Sequence, residues 1–198
     1  MQIQIPEGDF AGYIFDLDGT LADTMPVHFG AWEQALRNAG LQGRLDENYF
    51  YALGGVPSRK VAGLLGKHHG LKLDPARVAR DKEDIYMASL QRLELIGPVV
   101  EFARAASRTR PIALASGGTR DVVTSTLSKT GLAPLFRVVV TADDVEHGKP
   151  APDMFLLAAR RMGVEPGRCL VFEDGEPGIQ AAEAAGMKWV RVPSRRSA

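Results

Sequence analysis

The sequence predicts an α/β fold: a doubly wound parallel sheet covered on both faces by helices, with a helical segment inserted after the first strand. Two observations carry this. Short apolar runs of strand length alternate with helix-period segments from about residue 97 to 198, and one more such run, "YIF" at 13–15, stands alone near the N-terminus. Between about 25 and 96 the periodic segments read as helices and no convincing strand occurs. The sheet is therefore expected to form from both ends of the chain, with 1–24 plus 97–198 as core and 25–96 as a smaller helical cap.

In chain order, "YIF" is the first strand and runs into Asp16 and Asp18. The insert follows, with "VHFGAWEQALRNAG", "SRKVAGLLGKHHG" and "PARVARDKEDIYMASLQRL" each repeating apolar residues at helical spacing. "PIALA" at 111–115 is the next strand and ends at Ser116; a helix over 119–130 begins from the capping residue Thr119 and stops before Gly131. "RVVVT" at 137–141 is the third strand, and "APDMFLLAARRMGV" is a helix with Pro152 in its first turn and Gly163 at its close. "CLVF" at 169–172 leads into Glu173 and Asp174, "PGIQAAEAAGM" is a helix ended by glycine, and "WVRV" at 189–192 is the last strand.

Composition narrows the function. The 198 residues, 45% of them hydrophobic, suffice to bury a real core. Twenty-four basic and 24 acidic side chains cancel, so no overall field gathers nucleic acid or an anionic membrane, and small-molecule partners are expected. The N-terminus MQIQIPEGDF has no basic segment followed by an apolar stretch, and no run of about 18 apolar residues occurs, which points to a cytoplasmic protein. The single cysteine, Cys169, lies in an apolar run and reads as a buried small hydrophobe rather than a reactive thiol.

In an open parallel sheet, ligands bind beyond the carboxyl ends of the strands. Three runs end there in Asp16 and Asp18, in Ser116, and in Glu173 and Asp174, with glycines at Gly19, Gly117, Gly118 and Gly175 leaving backbone N–H groups free to approach an anion. A carboxylate cluster needs a cation, and hard oxygen ligands suit Mg²⁺. Carboxylates with Mg²⁺ suggest a phosphate substrate, its oxygens held by the Ser116 hydroxyl and by Lys149 of "EHGKPAPD". Asp16 can then act as nucleophile, forming an aspartyl-phosphate. Asp18, two residues on, is placed to protonate the leaving oxygen and afterwards to deprotonate the attacking water. Taken singly, each residue has a plainer reading: acids after strands cap helices, Lys149 is a solvated charge and Ser116 a turn hydroxyl. Their joint placement favours chemistry. A calcium loop fails, because Leu21 and Val27 stand where it requires glycine and glutamate.

The segments "DLDGT", "ASGG", "GKPAPD" and "FEDGEPGIQAAEAAGM", in this order, resemble the four motifs of the haloacid dehalogenase superfamily, and the likeness covers nearly the whole chain. "DTMPVHFGAW" is similar to the β-phosphoglucomutase-like branch, whose helical cap lies between the first and second motifs. The resemblance implies a Rossmann-like three-layer core with a mobile inserted cap, Mg²⁺ dependence and phosphoryl transfer. It implies Asp16 as nucleophile and metal ligand, and Asp18 as acid and base with its backbone carbonyl on the metal. Asp174 is implied as a metal ligand, Glu173 as support for the metal site, and Ser116, Gly117 and Lys149 as the phosphoryl-binding groups. One departure is Gly175, followed by Glu176 and Pro177, where serine or alanine often stands.

Substrate choice falls to the cap. His28 matches a cap-hinge histidine, Lys82 in "RDKEDIY" lines up with a substrate-contacting lysine, and Arg59 in "GGVPSRKV" resembles a specificity-loop arginine, one residue further from glycine than in the mutases. His68 and His69 are expected at the surface, since helix neighbours point about 100° apart and no acid joins them on a shared face. Trp32 and Trp189 are expected to pack rather than take part in chemistry. The branch likeness and its fructose-1-phosphate phosphatases imply Mg²⁺-dependent hydrolysis of small phosphorylated sugars by a monomer. The alternative is a mutase interconverting β-glucose 1-phosphate and glucose 6-phosphate. A non-catalytic binding module is the reading from another class, and no catalytic position is substituted in its favour.

Overall fold

The computed structural model describes residues 4–90 and 93–193. Five strands, β1 (Gly12–Phe15), β2 (Ile112–Ala115), β3 (Val138–Val140), β4 (Cys169–Glu173) and β5 (Lys188–Arg191), form one sheet in the order β3-β2-β1-β4-β5, all parallel. The α/β class expected from the apolar runs is thus the class observed. β1 lies at the centre because the chain builds β2 and β3 on one side of it and β4 and β5 on the other, so the order reverses beside β1, where open sheets place their ligands.

Side chains alternate between two cores, as a sheet buried on both faces requires. Phe15, Leu114, Leu170 and Phe172 point to one face, against α5 (Gly97–Ala106) and α6 (Arg120–Thr130). Ile14, Ala113, Ala115, Cys169 and Val171 point to the other, against α7 (Asp153–Met162) and α8 (Glu176–Ala184). The predicted burial of Cys169 holds. Phe15 pairs with Phe172 across β1 and β4, their rings stacked at 4.7 Å, and this pairing sets Asp16 and Glu173 side by side at the strand ends.

The insert comprises α1 (Met25–Asn38), α2 (Glu47–Tyr51), α3 (Ser58–His68) and α4 (Pro75–Ala88), packed around Trp32, Leu36, Phe50, Val61, Leu65 and Val78. Its two connections to the sheet run side by side: Asp23 N donates to Glu94 O at 2.8 Å and Ile96 N to Leu21 O at 2.9 Å. Tyr86 of α4 is buried against Val122 of α6, its hydroxyl 3.1 Å from Thr126 Oγ1. Among the described residues, no helix is long and apolar enough to cross a membrane.

Several local expectations change. Thr119 precedes α6 but its hydroxyl makes no cap bond, and Asp143 Oδ2 accepts from Arg120 N at 2.7 Å. Pro152 lies just before α7 rather than in its first turn. The helix expected through "PARVARDKEDIYMASLQRL" ends at Ala88, and residues 91–92 of that stretch lie outside the described residues, as do 1–3 and 194–198. His68 and His69 do share a partner residue. It comes from another element: Asp46 Oδ2 lies 3.0 Å from His68 Nε2, and Asp46 N lies 3.4 Å from His69 Nε2, tying the end of α3 to the start of α2.

Candidate active site

Asp16 is the first residue past β1, Ser116 the first past β2, and Glu173 the last of β4, so three adjacent strands deliver these side chains to one edge. Backbone bonds extend that register into the loops: Asp16 N donates to Phe172 O at 3.0 Å and Ser116 N to Val140 O at 3.0 Å. Gly19 (φ +82°) turns the chain beside Asp174, where any side chain would strike the Asp174 carboxylate.

Lys149 is the hub. It is fully buried, and its Nζ donates to Asp16 Oδ1 at 2.6 Å, Glu173 Oε1 at 2.7 Å and the Ala115 carbonyl at 3.2 Å. The solvated-charge reading of Lys149 is therefore excluded. Burial works against its charge, but Asp16 and Glu173 outweigh burial and hold it above the ordinary lysine range. Asp16 is pushed up to about 8 by burial, with Lys149 opposing and the neighbouring Glu173 and Asp18 carboxylates adding to the rise. Burial, then Glu173 and Asp16, raise Asp174 as well. Among the described residues, Asp16, Glu173 and Asp174 form a group that could hold a metal ion, with one carboxylate oxygen from each lying within 4.8 Å of the others. Glu173 is already engaged on both oxygens, since Gly175 N donates to Oε2 at 2.7 Å.

Asp18 turns the other way. Its Oδ1 accepts from Thr24 Oγ1 at 2.6 Å and lies 3.0 Å from His28 Nε2, while Ser116 Oγ donates to Oδ2 at 3.2 Å. Burial alone would raise Asp18, but the field and hydrogen bond of His28, the hydrogen bond from Thr24 and the field of Lys82 hold it below the usual carboxylate range. Burial and Lys82 keep His28 below its ordinary value, against Asp18. Nε2 is the ring nitrogen that faces Asp18, and buried Nδ1 has no hydrogen-bond partner among the described residues. Tyr86 stacks on that ring at 3.9 Å and 3°, fixing its plane.

The cleft above these groups is lined by Asp16, Asp18 and Gly117 from the core and by His28, Trp32 and Lys82 from the insert. Side chains from the strand ends thus share one cleft with side chains from the insert. Residues 10–186 match the family model of haloacid dehalogenase-like hydrolases. The chain belongs to that family.

The chain is 43% identical over 184 residues to the fructose-1-phosphate phosphatase YqaB of Escherichia coli, covering 92% of this chain and 96% of that one. It is 30% identical over 179 residues to the phosphorylated carbohydrates phosphatase of Thermotoga maritima, covering 88% and 81%. The crystal structure of CbbY from Rhodobacter sphaeroides in complex with phosphate superposes with a TM-score of 0.82 at 26% identity, over 93% of this chain and 86% of that chain. A β-phosphoglucomutase from Clostridium difficile shares the fold, with a TM-score of 0.81 at 23% identity over 91% and 83%.

Within this haloacid dehalogenase-like hydrolase, most of the expected positions converge and one does not. Asp16, Asp18, Ser116, Gly117, Lys149, Glu173, Asp174, His28 and Lys82 lie in or around the cleft. Arg59 is exposed on α3 and is not among the residues lining the cleft. Trp32, expected only to pack, lines the cleft while packing in the insert core, and Lys82 Nζ lies 5.5 Å from its ring centroid. Lys82 is itself buried, and burial pushes it down to about 8 against the pull of Asp18 and Glu83. Thr24 and Tyr86 also hold the site, beyond the residues expected from the sequence. The "DT" pair in "DTMPVHFGAW" was the available signal for Thr24, whereas nothing local marks Tyr86.

Proposed function

We propose that this protein hydrolyses the phosphate monoesters of small sugars, fructose 1-phosphate-like in size, with Mg²⁺ and through an aspartyl-phosphate on Asp16. The observation that carries it is the opposed pair: Asp16 held by buried Lys149 on one side of the cleft, and Asp18 held by Thr24, His28 and Ser116 on the other. The relative named as a fructose-1-phosphate phosphatase supports the substrate class. The insert over 25–96 is read as a cap that moves over the core, hinged where residues 21–24 run beside 94–96.

The donor set fits Mg²⁺. Asp16, Glu173 and Asp174 offer only hard oxygens. In the site four carboxylates face two lysines, Lys149 and Lys82, leaving an excess of negative charge that a divalent cation would offset. When bound at Asp16 and Asp174, the ion would polarise the phosphoryl oxygens.

Lys149 orients the Asp16 carboxylate by holding Oδ1. One Asp16 oxygen attacks phosphorus, the bond from phosphorus to the sugar oxygen breaks, and that oxygen takes a proton from Asp18. For Asp18 to carry this proton, one of its donors must turn away. Ser116, at 3.2 Å, is the longest of the three, and its hydroxyl rotates freely enough to accept instead. Once the sugar leaves, the three donors stabilise Asp18 as the carboxylate, the form that takes a proton from water as the water attacks the acyl-phosphate.

The cleft also favours hydrolysis over transfer between sugar positions. A mutase must hold a bisphosphate, with a second cationic site for the distal phosphate, yet Lys82 is the one lysine or arginine lining the cleft among the described residues and Asp18 lies in its field. Phosphate release from a panel of sugar phosphates with Mg²⁺ tests the reading, alongside β-glucose 1-phosphate with catalytic glucose 1,6-bisphosphate. Release of inorganic phosphate, abolished by Asp16→Asn, is expected. Rapid glucose 6-phosphate formation with little free phosphate would overturn it.

A further inference from the structure

Three core loops reach the insert through glycines: Gly117 after β2, Gly148 before Lys149, and Gly175 after Asp174. None of the three has the positive φ that would by itself demand glycine. What a side chain there would meet is the insert. A methyl at 117 would stand 3.0 Å from the Gly55 carbonyl carbon and closer to its oxygen; at 148, 2.9 Å from Pro57 Cδ and closer to Cγ; at 175, 3.0 Å from the Gly54 oxygen. From the other side, a methyl on Gly55 would stand 3.0 Å from Lys149 Cδ. Ordinary contact between carbon atoms is about 3.5–4.0 Å, so a single methyl at 117 or 148 forces the loop to shift, while one at 175 presses the Gly54 carbonyl more lightly.

We propose that Gly117, Gly148 and Gly175 form a seat without side chains for the cap loop 54–57, and that this seat sets how fully the cap closes and so which leaving groups are accepted. The backbone of Gly54 and Gly55 and the ring of Pro57 rest on three loops that each adjoin a catalytic or metal-binding group: Ser116, Lys149 and Asp174. Full seating brings Lys82 and Trp32 over Asp18, where the sugar leaves. Gly175, the departure from the serine or alanine common in the fourth motif, is the glycine on which the Gly54 carbonyl lands. The proposal rests on the cap reading above, and its consequence is specificity. Lifting the loop penalises substrates whose leaving group must touch the cap and spares those that only need the core.

Gly148→Ala, Pro57→Ala and the double variant test it, because Pro57→Ala deletes the two ring atoms that the new methyl would strike. Turnover of fructose 1-phosphate and of p-nitrophenyl phosphate is measured with Mg²⁺. Gly148→Ala is expected to lower kcat/KM for fructose 1-phosphate on the order of tenfold while p-nitrophenyl phosphate stays within about threefold. The double variant is expected to return to the level of Pro57→Ala alone. Equal losses on both substrates, or no recovery in the double variant, would overturn the proposal. A second readout needs no turnover. In a Trp189→Phe background Trp32 is the one remaining tryptophan, and its quenching by acrylamide is expected to rise in Gly148→Ala and fall back in the double variant. Unchanged quenching also overturns the seat. A wild-type enzyme that releases no phosphate from any sugar phosphate, with quenching that behaves as expected, would instead sink the functional reading and leave the seat standing.

Discussion

Replacing Lys149 with methionine removes the sole buried cation shared by Asp16 and Glu173, with contacts of 2.6 and 2.7 Å. At an effective dielectric of about 20, each contact is worth on the order of 5 kcal/mol gross. Much of that is offset by the cost of burying the charges. What remains on deletion is the penalty of two unmatched buried carboxylates, about 3–5 kcal/mol. Against a total stability of roughly 5–15 kcal/mol, this is a large fraction, and in a chain of this size it lowers Tm by roughly 6–20 °C. Urea unfolding in EDTA, followed by circular dichroism and tryptophan fluorescence, measures it. Two further results follow from the same geometry. Glu173→Gln placed in the Lys149→Met background should recover part of the loss, because it neutralises one of the stranded acids. Excess Mg²⁺ should narrow the gap, because a cation bound to the native state replaces some of the missing charge. A loss below about 1 kcal/mol in EDTA, or a further loss on adding Glu173→Gln, would refute the reasoning.

Other expectations are smaller. Lys82, pushed down to about 8 by burial, is charged below that pH and neutral above it, so kcat/KM for sugar phosphates should fall through the region around pH 8. Lys82→Met should lower the plateau and remove that alkaline limb, and a pH profile that keeps it would assign the limb elsewhere. Tyr86→Phe deletes the buried hydroxyl contact to Thr126 across the seam and should cost about 1 kcal/mol by urea unfolding. The loss stays modest because Thr126 keeps its bond to the Val122 carbonyl. Arg59→Ala should leave kcat/KM within about twofold of the wild type, since Arg59 is exposed outside the cleft; a large rise in KM would place the arginine on the substrate.

The strands were legible because parallel strands buried on both faces read as short apolar runs, and the residue after each run had to lie at the ligand-binding edge. Asp16, Ser116 and Glu173 follow from that alone. Lys149 was legible only through its neighbours, since the burial that makes it a hub depends on strands about 130 residues apart in sequence meeting, the spacing from Asp16 being 133. Arg59 misled because motif spacing says nothing about helix phase. Ser58 and Val61 share the face of α3 that lines the cleft, and Arg59, one residue or about 100° on from Ser58, faces solvent. Trp32 and Tyr86 act through contacts between α1, α4 and the core that no local pattern encodes. The same holds for Asp46 and its two histidines, which meet only when α2 docks on the end of α3.

Phosphoryl transfer to Asp16 is tested most directly by trapping the intermediate. A sugar phosphate carrying labelled phosphorus is mixed with enzyme and Mg²⁺, quenched in acid within the first turnover, and digested. The expected result is label on the peptide containing "YIFDLDGTLADT", released by hydroxylamine as an acyl-phosphate should be, and absent from a folded Asp16→Asn variant that also releases no phosphate. Steady turnover with no protein-bound label at any quench time, or an Asp16→Asn variant that still releases phosphate, would contradict it.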